Sequence, residues 1–338
     1  MVSSHPGTDR EYYQLMTFSV DTVDLASRTA AADFERAIRA TGFVQLVGHD
    51  LDSVRRQSCY DAIGSFFELD PEVKSHYIHP DSAANRGYRA KGSEALAYSL
   101  GKESPPDLFE SFNAAPEPTE PTLLQQATPW PDGEIAGFSD AVLAHYAELA
   151  ALANRIDTMI DGLLGIDWLA DRSGAGTDML ASIKYSPGPD GTEQTVEGQQ
   201  RMGAHTDYSA FTILDADPLP GLQLVSPDNE WVDVIPDEEA VLLNIGDMLA
   251  VMTNNEWPST LHRVVPMSKG AAPFRRSAAF FHYPNLDVEV ATLDSFVTDD
   301  RPASYEPLVV GEHLMDKLLA PKDKVRSTGT NTTAGREI

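Results

Sequence analysis

Gly203-Ala204-His205-Thr206-Asp207-Tyr208 sits in the second half of a 338-residue chain, among short apolar runs separated by turn residues. In a β-strand, residues i and i+2 face the same side, so a strand here would aim His205 and Asp207 at one point in space. The neighbouring segments have the texture of strands: 181–185, 210–214, 221–225, 231–235, 240–245, 247–252, 262–266 and 277–283. Pro218-Leu219-Pro220-Gly221, Asp228-Asn229 and Gly246-Asp247 break them at intervals that predict an antiparallel sandwich or barrel.

Upstream the period changes from two to about 3.6. Ala32, Phe34, Ile38 and Ala40 keep helical spacing within 26–41, and Gly42 punctuates the end before the apolar strand 43–47. A short strand is expected at Phe18-Ser19-Val20-Asp21, and a second helix over 51–69, stopping before Pro71. The clearest helix runs over 139–164. Val142, Tyr146, Leu149, Leu152, Ile156, Met159 and Leu163 form its stripe, and Ser139 is a candidate N-cap. The expectation is a mixed α/β (α+β) fold: a helical and mixed region over 1–135, a jelly-roll core over 136–290, and a C-terminal segment over 291–338 ending in a polar tail.

Lys and Arg total 25 against 52 Asp and Glu, a formal charge of −27. Such a surface repels phosphate backbones and anionic lipid, so neither nucleic acid nor membrane is the expected partner. No apolar run reaches the ~18 residues of a membrane span, and Met1 to Tyr13 lacks the apolar core of a signal peptide. One cysteine, Cys59, rules out an intrachain disulfide and fits the cytoplasm. It lies inside an expected helix and reads as structural.

His-x-Asp alone is weak evidence for a metal. His262, in Ser259-Thr260-Leu261-His262-Arg263-Val264, opens another β-run and is the natural third ligand. Two imidazoles and a carboxylate make the facial set of non-heme Fe(II) oxygenases, with open positions for co-substrate and O₂. Arg275-Arg276-Ser277 follows. An Arg with a Ser two residues on, on the same face, suits a carboxylate through charge-assisted hydrogen bonds. His76 and His79 have metal-pair spacing but no obvious carboxylate partner, while His49 and His282 read as packing or hydrogen-bonding residues.

Taken in order, these motifs resemble the isopenicillin N synthase-like family of 2-oxoglutarate/Fe(II) oxygenases. The resemblance is carried by Gly203-Ala204-His205-Thr206-Asp207, Gly221-Leu222-Gln223-Leu224, Trp231-Val232-Asp233-Val234, Asn244-Ile245-Gly246-Asp247, the His262 segment and Arg275-Arg276-Ser277. Thr41-Gly42-Phe43-Val44, Phe66-Phe67 and Pro71-Glu72-Val73-Lys74 extend it into the N-terminal half. It implies a double-stranded β-helix (cupin-like jelly roll) with His205, Asp207 and His262 as catalytic Fe(II) ligands. It also implies 2-oxoglutarate and O₂ as co-substrates, with Arg275 and Ser277 on the distal carboxylate. Members often carry Asn-x-Tyr-Pro before the first ligand; here Lys184-Tyr185-Ser186-Pro187 displaces the tyrosine by one, leaving Tyr185 an open candidate. Lys269-Gly270-Ala271-Ala272-Pro273 lengthens the turn before Arg275.

The implied reaction converts 2-oxoglutarate to succinate and CO₂ while oxidising a small organic substrate, by hydroxylation, desaturation or ring closure. A carboxylate at Asp207 argues against halogenation, which needs that coordination site for halide. Tyr208, Phe211, Phe281, Tyr88 and Arg89 are candidates for substrate contact, with Lys102 a further cation. The tail over 318–338, with Lys324 and Arg326, could serve as a lid. Three alternatives stay open at this point: a 2-oxoglutarate-independent oxidase of the isopenicillin N synthase type, a non-catalytic cupin-like binding protein, and a zinc hydrolase. Substrate identity and oligomeric state are not legible.

Overall fold

The computed structural model describes residues 19–81, 84–101, 103–174, 176–187, 196–266 and 274–317. Phe18, Lys102, the 269–273 insertion and the tail over 318–338 lie outside these residues.

Strands β1 (Thr22–Asp24), β2 (Phe43–Val47), β3 (Gly87–Arg89), β4 (Glu110–Ala114) and β5 (Met179–Tyr185) come first in the chain. β6 (Met202–His205), β7 (Phe211–Ala216), β8 (Leu222–Val225), β9 (Trp231–Val234), β10 (Val241–Ile245), β11 (His262–Val264) and β12 (Arg275–His282) follow. The order β1-β2-β10-β7-β12-β5-β4-β3 makes an eight-stranded sheet, and β6-β11-β8-β9 a four-stranded one. β13 (Glu289–Val290) and β14 (Leu308–Val309) pair separately. The pairings are antiparallel except β1 with β2.

Each face of the larger sheet has its own apolar cluster. Met179, Ala181, Ile183 and Tyr185 of β5 and Ala279 of β12 pack with Leu222, Leu224 and Val264 of the smaller sheet. The two sheets therefore close on each other as a double-stranded β-helix. Leu180, Phe211, Ile213, Leu243 and Phe280 point the other way, into a second cluster shared with the helices. Those helices are α1 (Ala30–Thr41), α2 (Ser53–Phe67), α3 (Pro71–Ser75) and α4 (Phe138–Leu164). Tyr146 of α4 meets Phe280 edge-on, ring centroids 5.1 Å apart.

Local chemistry explains the helix boundaries. Asp52 caps α2 by accepting from Val54 N and Arg55 N. Gly42 ends α1 in the left-handed conformation (φ 70°), and a side chain there would strike the Pro258 carbonyl. Four expectations need correcting. The first strand is Thr22–Asp24, after the expected segment. α4 is capped by Gly137, not Ser139, which lies inside the helix. Its buried stripe ends on Ile160 and Leu164 rather than Met159 and Leu163, because a 3.6 period drifts against fixed three- and four-residue steps. Finally, Asp247–Met252 is a helix, α5, and not a strand. Met248 to Met252 are all buried, and an apolar run without period does not distinguish a buried helix from a buried strand.

Candidate active site

His205 closes β6 and His262 opens β11, and the antiparallel register sets them directly opposite each other. Their rings lie 4.4 Å apart. Asp207 falls two residues beyond the end of β6, so strand alternation alone does not aim it. Its backbone carbonyl accepts Asp247 N at 2.8 Å, which fastens the turn to the start of α5. Gly246 permits that approach, since a Cβ there would lie 2.1 Å from the Ser209 carbonyl oxygen.

Asp207 Oδ1 stands 3.6 Å from His205 Nε2 and 3.7 Å from His262 Nε2. One ligand atom from each of the three lies within 4.8 Å of the others, an arrangement that could hold one metal ion. The surrounding hydrogen bonds suit that use. His205 Nδ1 pairs with Gly203 O at 2.7 Å and His262 Nδ1 with Thr260 O at 3.0 Å. A carbonyl only accepts, so each Nδ1 carries the proton and each Nε2 turns a lone pair to the common centre. Burial, then the neighbouring His262, pushes the His205 pKa down, keeping that ring neutral. Asp207 Oδ2 accepts from Thr212 Oγ1 at 2.6 Å and Asn244 Nδ2 at 2.7 Å, leaving Oδ1 for the centre. Two neutral imidazoles and an oriented carboxylate fit Fe(II).

Thr212 and Asn244 were not singled out from sequence as partners of Asp207. The available signal was the Asn244 segment in the family resemblance. Asp107 was missed as well. Buried, and with its pKa pushed up to about 7 by that burial, it accepts Leu96 N and Gly203 N, both at 2.9 Å. It thereby ties the 94–107 loop to β6 just before His205.

The same cavity wall holds Arg275, Ser277 and Tyr185. Arg275 pairs with Tyr185 across β12 and β5, and its guanidinium carbon is 5.4 Å from the tyrosine ring centre. The one-residue displacement of the tyrosine therefore leaves it beside Arg275. Arg275 is 1% exposed, yet its Nε and Nη2 have no hydrogen-bond partner among the described residues, and neither has Ser277 Oγ. A buried cation without acceptors is costly unless a ligand supplies them.

Of the expected substrate contacts, Tyr208 and Phe281 line the cavity. Phe211 does not: strand parity turns Thr212 and Leu214 inward, and Phe211 stacks near His282 on the helix side, centroids 4.8 Å apart. Tyr88 also turns away, donating to Glu110 Oε2 at 2.8 Å with Lys74 over its ring. Arg89 stands behind the wall, donating to Asn85 Oδ1 at 3.3 Å. His282 lies across the sheet from the cavity, between Asp178 at 2.9 Å and Asp157 at 2.6 Å. Cys59 is buried within α2.

Residues 176–284 match the family model of the 2OG-Fe(II) oxygenase superfamily, and residues 17–133 match that of the non-haem dioxygenase in morphine synthesis N-terminal region. The chain is 28% identical over 309 residues to a 2-oxoglutarate-dependent dioxygenase of Monascus ruber, covering 86% of this chain and 89% of the relative. It is 27% identical to the validamycin A dioxygenase of Streptomyces hygroscopicus subsp. limoneus over 89% of this chain and 86% of that one. Among solved structures, a full-length Neurospora crassa protein in complex with alpha-KG superposes with a TM-score of 0.76 at 27% identity, covering 88% of this chain and 95% of that one.

Proposed function

Because this chain belongs to the 2OG-Fe(II) oxygenase superfamily and is a 2-oxoglutarate/Fe(II)-dependent dioxygenase, we propose that His205, Asp207 and His262 hold the iron, while Arg275 and Ser277 receive the distal carboxylate of 2-oxoglutarate. The observation that carries this assignment is the buried, acceptor-less guanidinium of Arg275 beside the bare Ser277 hydroxyl, on the cavity wall that also holds the His-Asp-His cluster. A carboxylate completes the hydrogen bonds that the protein leaves open.

When held by His205, Asp207 and His262, Fe(II) with 2-oxoglutarate and O₂ would supply the oxidising power for attack on a substrate C–H bond, with succinate and CO₂ as co-products. The protein's own part is orientation. Thr212 and Asn244 fix the Asp207 carboxylate, the Gly203 and Thr260 carbonyls fix the imidazole tautomers, and Tyr185 packs against Arg275. Apolar side chains such as Leu214, Leu222 and Phe281 line much of the cavity and help exclude water. The substrate is a small organic molecule, hydroxylated as the default outcome, and a place in secondary metabolism suits the reading. Asp207 fills the position a halide would need, which argues against halogenation.

No helix among the described residues is long and apolar enough to cross a membrane. The formal charge of −27 disfavours nucleic acid and membrane surfaces as partners, and the single buried cysteine suits a cytoplasmic setting. The test is anaerobic titration with Fe(II) and 2-oxoglutarate. A visible metal-to-ligand charge-transfer band is expected, then succinate release on admitting O₂. No band in the wild-type protein, or product formed equally well without 2-oxoglutarate, defeats the assignment.

A further inference from the structure

We propose that Glu94 is the specificity residue of the cavity, accepting a hydrogen bond from an N–H or O–H group at the polar end of a small substrate whose apolar body extends toward the His-Asp-His centre. The inference rests on the functional reading above and names the substrate chemistry of the same site.

Among the described residues, four charged side chains line the cavity: Glu94, Asp207, Arg275 and Lys317. Asp207 and Arg275 are accounted for. Lys317 stands 3.8 Å from Asp247 Oδ2 and 5.4 Å from the Tyr208 ring centre, and its Nζ is not among the buried atoms left without a hydrogen bond. Glu94 remains. Its Oε1 is buried without a hydrogen-bond partner among the described residues, 3.7 Å from Arg89 Nε, itself buried and likewise without one. Beside it, Asn85, Ser111 and Asn113 form a polar wall whose two amide oxygens already accept hydrogen bonds. Asn85 Oδ1 accepts from Asn113 Nδ2 at 2.9 Å and from Arg89 Nη2 at 3.3 Å, and Asn113 Oδ1 pairs with Ser111 Oγ at 3.1 Å. Among the described residues of this corner, the buried acceptor that no hydrogen bond reaches is therefore the Glu94 oxygen, and a buried acceptor left empty is costly.

Glu94 is also held in place. Its backbone carbonyl accepts Asp107 N at 2.8 Å, and the Asp107 carboxyl holds Leu96 N and Gly203 N. The loop that carries Glu94 is thus pinned to β6 two residues before His205, which fixes the acceptor relative to the centre. Arg89 balances the Glu94 charge, so the corner does not require a cationic substrate. A substrate carboxylate has no proton to donate to the Glu94 oxygen and would be disfavoured there.

The experiment adds 1-hexanol, hexanamide, hexylamine or hexanoate to the anaerobic Fe(II)/2-oxoglutarate protein and follows the shift of its charge-transfer band. Wild type is expected to respond to the donor probes at concentrations at least about tenfold lower than to hexanoate. Glu94→Ala should lose that preference, with Glu94→Gln retaining part of it, while both variants still form the band with 2-oxoglutarate. Equal or better binding of hexanoate by wild type, no response to any donor probe, or unchanged preferences in both variants overturns the proposal. Failure to form the band at all would instead defeat the reading of Arg275 and the metal ligands.

Discussion

Arg275 and Arg276 are adjacent on one strand and live under opposite rules. Arg275 points between the sheets, 1% exposed, with Nε and Nη2 unbonded among the described residues. Arg276 points to the other face, donates through Nε and Nη2 to Asp217, and lies 5.0 Å over the Tyr60 ring. The histidines repeat the contrast. His205 and His262 turn bare Nε2 atoms toward an acidic oxygen 3.6 and 3.7 Å away, whereas His282 has a carboxylate hydrogen-bonded to each nitrogen. On the inner face, polarity is left for a ligand to complete; on the outer face it is largely completed by the protein. His145 is an outer exception, with neither nitrogen hydrogen-bonded among the described residues, and burial answers for it by pushing its pKa down so that it stays neutral.

The largest expected effect breaks the inner set. Asp207→Ala should bring turnover to background and abolish stoichiometric Fe(II) binding, read by iron analysis, whereas His282→Ala should keep the metal. Iron retained by Asp207→Ala, or lost equally from His282→Ala, would erase the distinction between the faces.

Next comes the arginine pair. Removing the charged partner of a buried carboxylate costs about 3–5 kcal/mol, so Arg275→Ala should raise the 2-oxoglutarate requirement by roughly two to four orders of magnitude. Arg276→Ala, whose side chain is about one-third exposed, should leave that requirement unchanged and cost only about 0–1 kcal/mol of stability. Saturation curves for 2-oxoglutarate and denaturant melts of the two variants decide it.

A smaller effect tests the outer face through pH. Burial opposes the charge on His282, but Asp178 and Asp157 together outweigh it and hold its pKa up at about 10, against an ordinary 6.5. The folded chain therefore keeps a proton that the unfolded chain releases. This stabilisation is complete below pH 6.5 and is lost as pH rises through about 10. Melting temperatures should fall across that window, and His282→Gln should flatten the fall. An unchanged slope in the variant would mean that some other group titrates.

Much of the site was legible because it depends on residue type and short spacing. His-x-Asp, a distant His in a β-run and Arg-x-Ser each ask for a definite chemistry, and α4 announced itself through its stripe of Val142, Tyr146, Leu149 and Ile156. Other features were not legible, for a physical reason. The large sheet is covered on both faces, so its strands lack the polar–apolar alternation that would reveal which way they point. Phe211, Ile213 and Leu214 are all apolar, and only pairing β7 between β10 and β12 turns Thr212 and Leu214, not Phe211, to the cavity. The same ambiguity hid α5 within an unbroken apolar run.

By itself, then, the sequence determined the class of chemistry, because metal and carboxylate ligands are set by side-chain type and short spacing, even though Asp207 is aimed by a turn and not by the strand period. The tertiary structure alone decided which groups complete the site: Thr212 and Asn244 on Asp207, Asp247 fastening its turn, and Glu94 at the cavity with no hydrogen bond to its Oε1 among the described residues. Apart from Thr212, these residues lie tens to more than a hundred positions from Asp207 along the chain. Strand register across such distances follows from packing the whole sheet rather than from any local pattern.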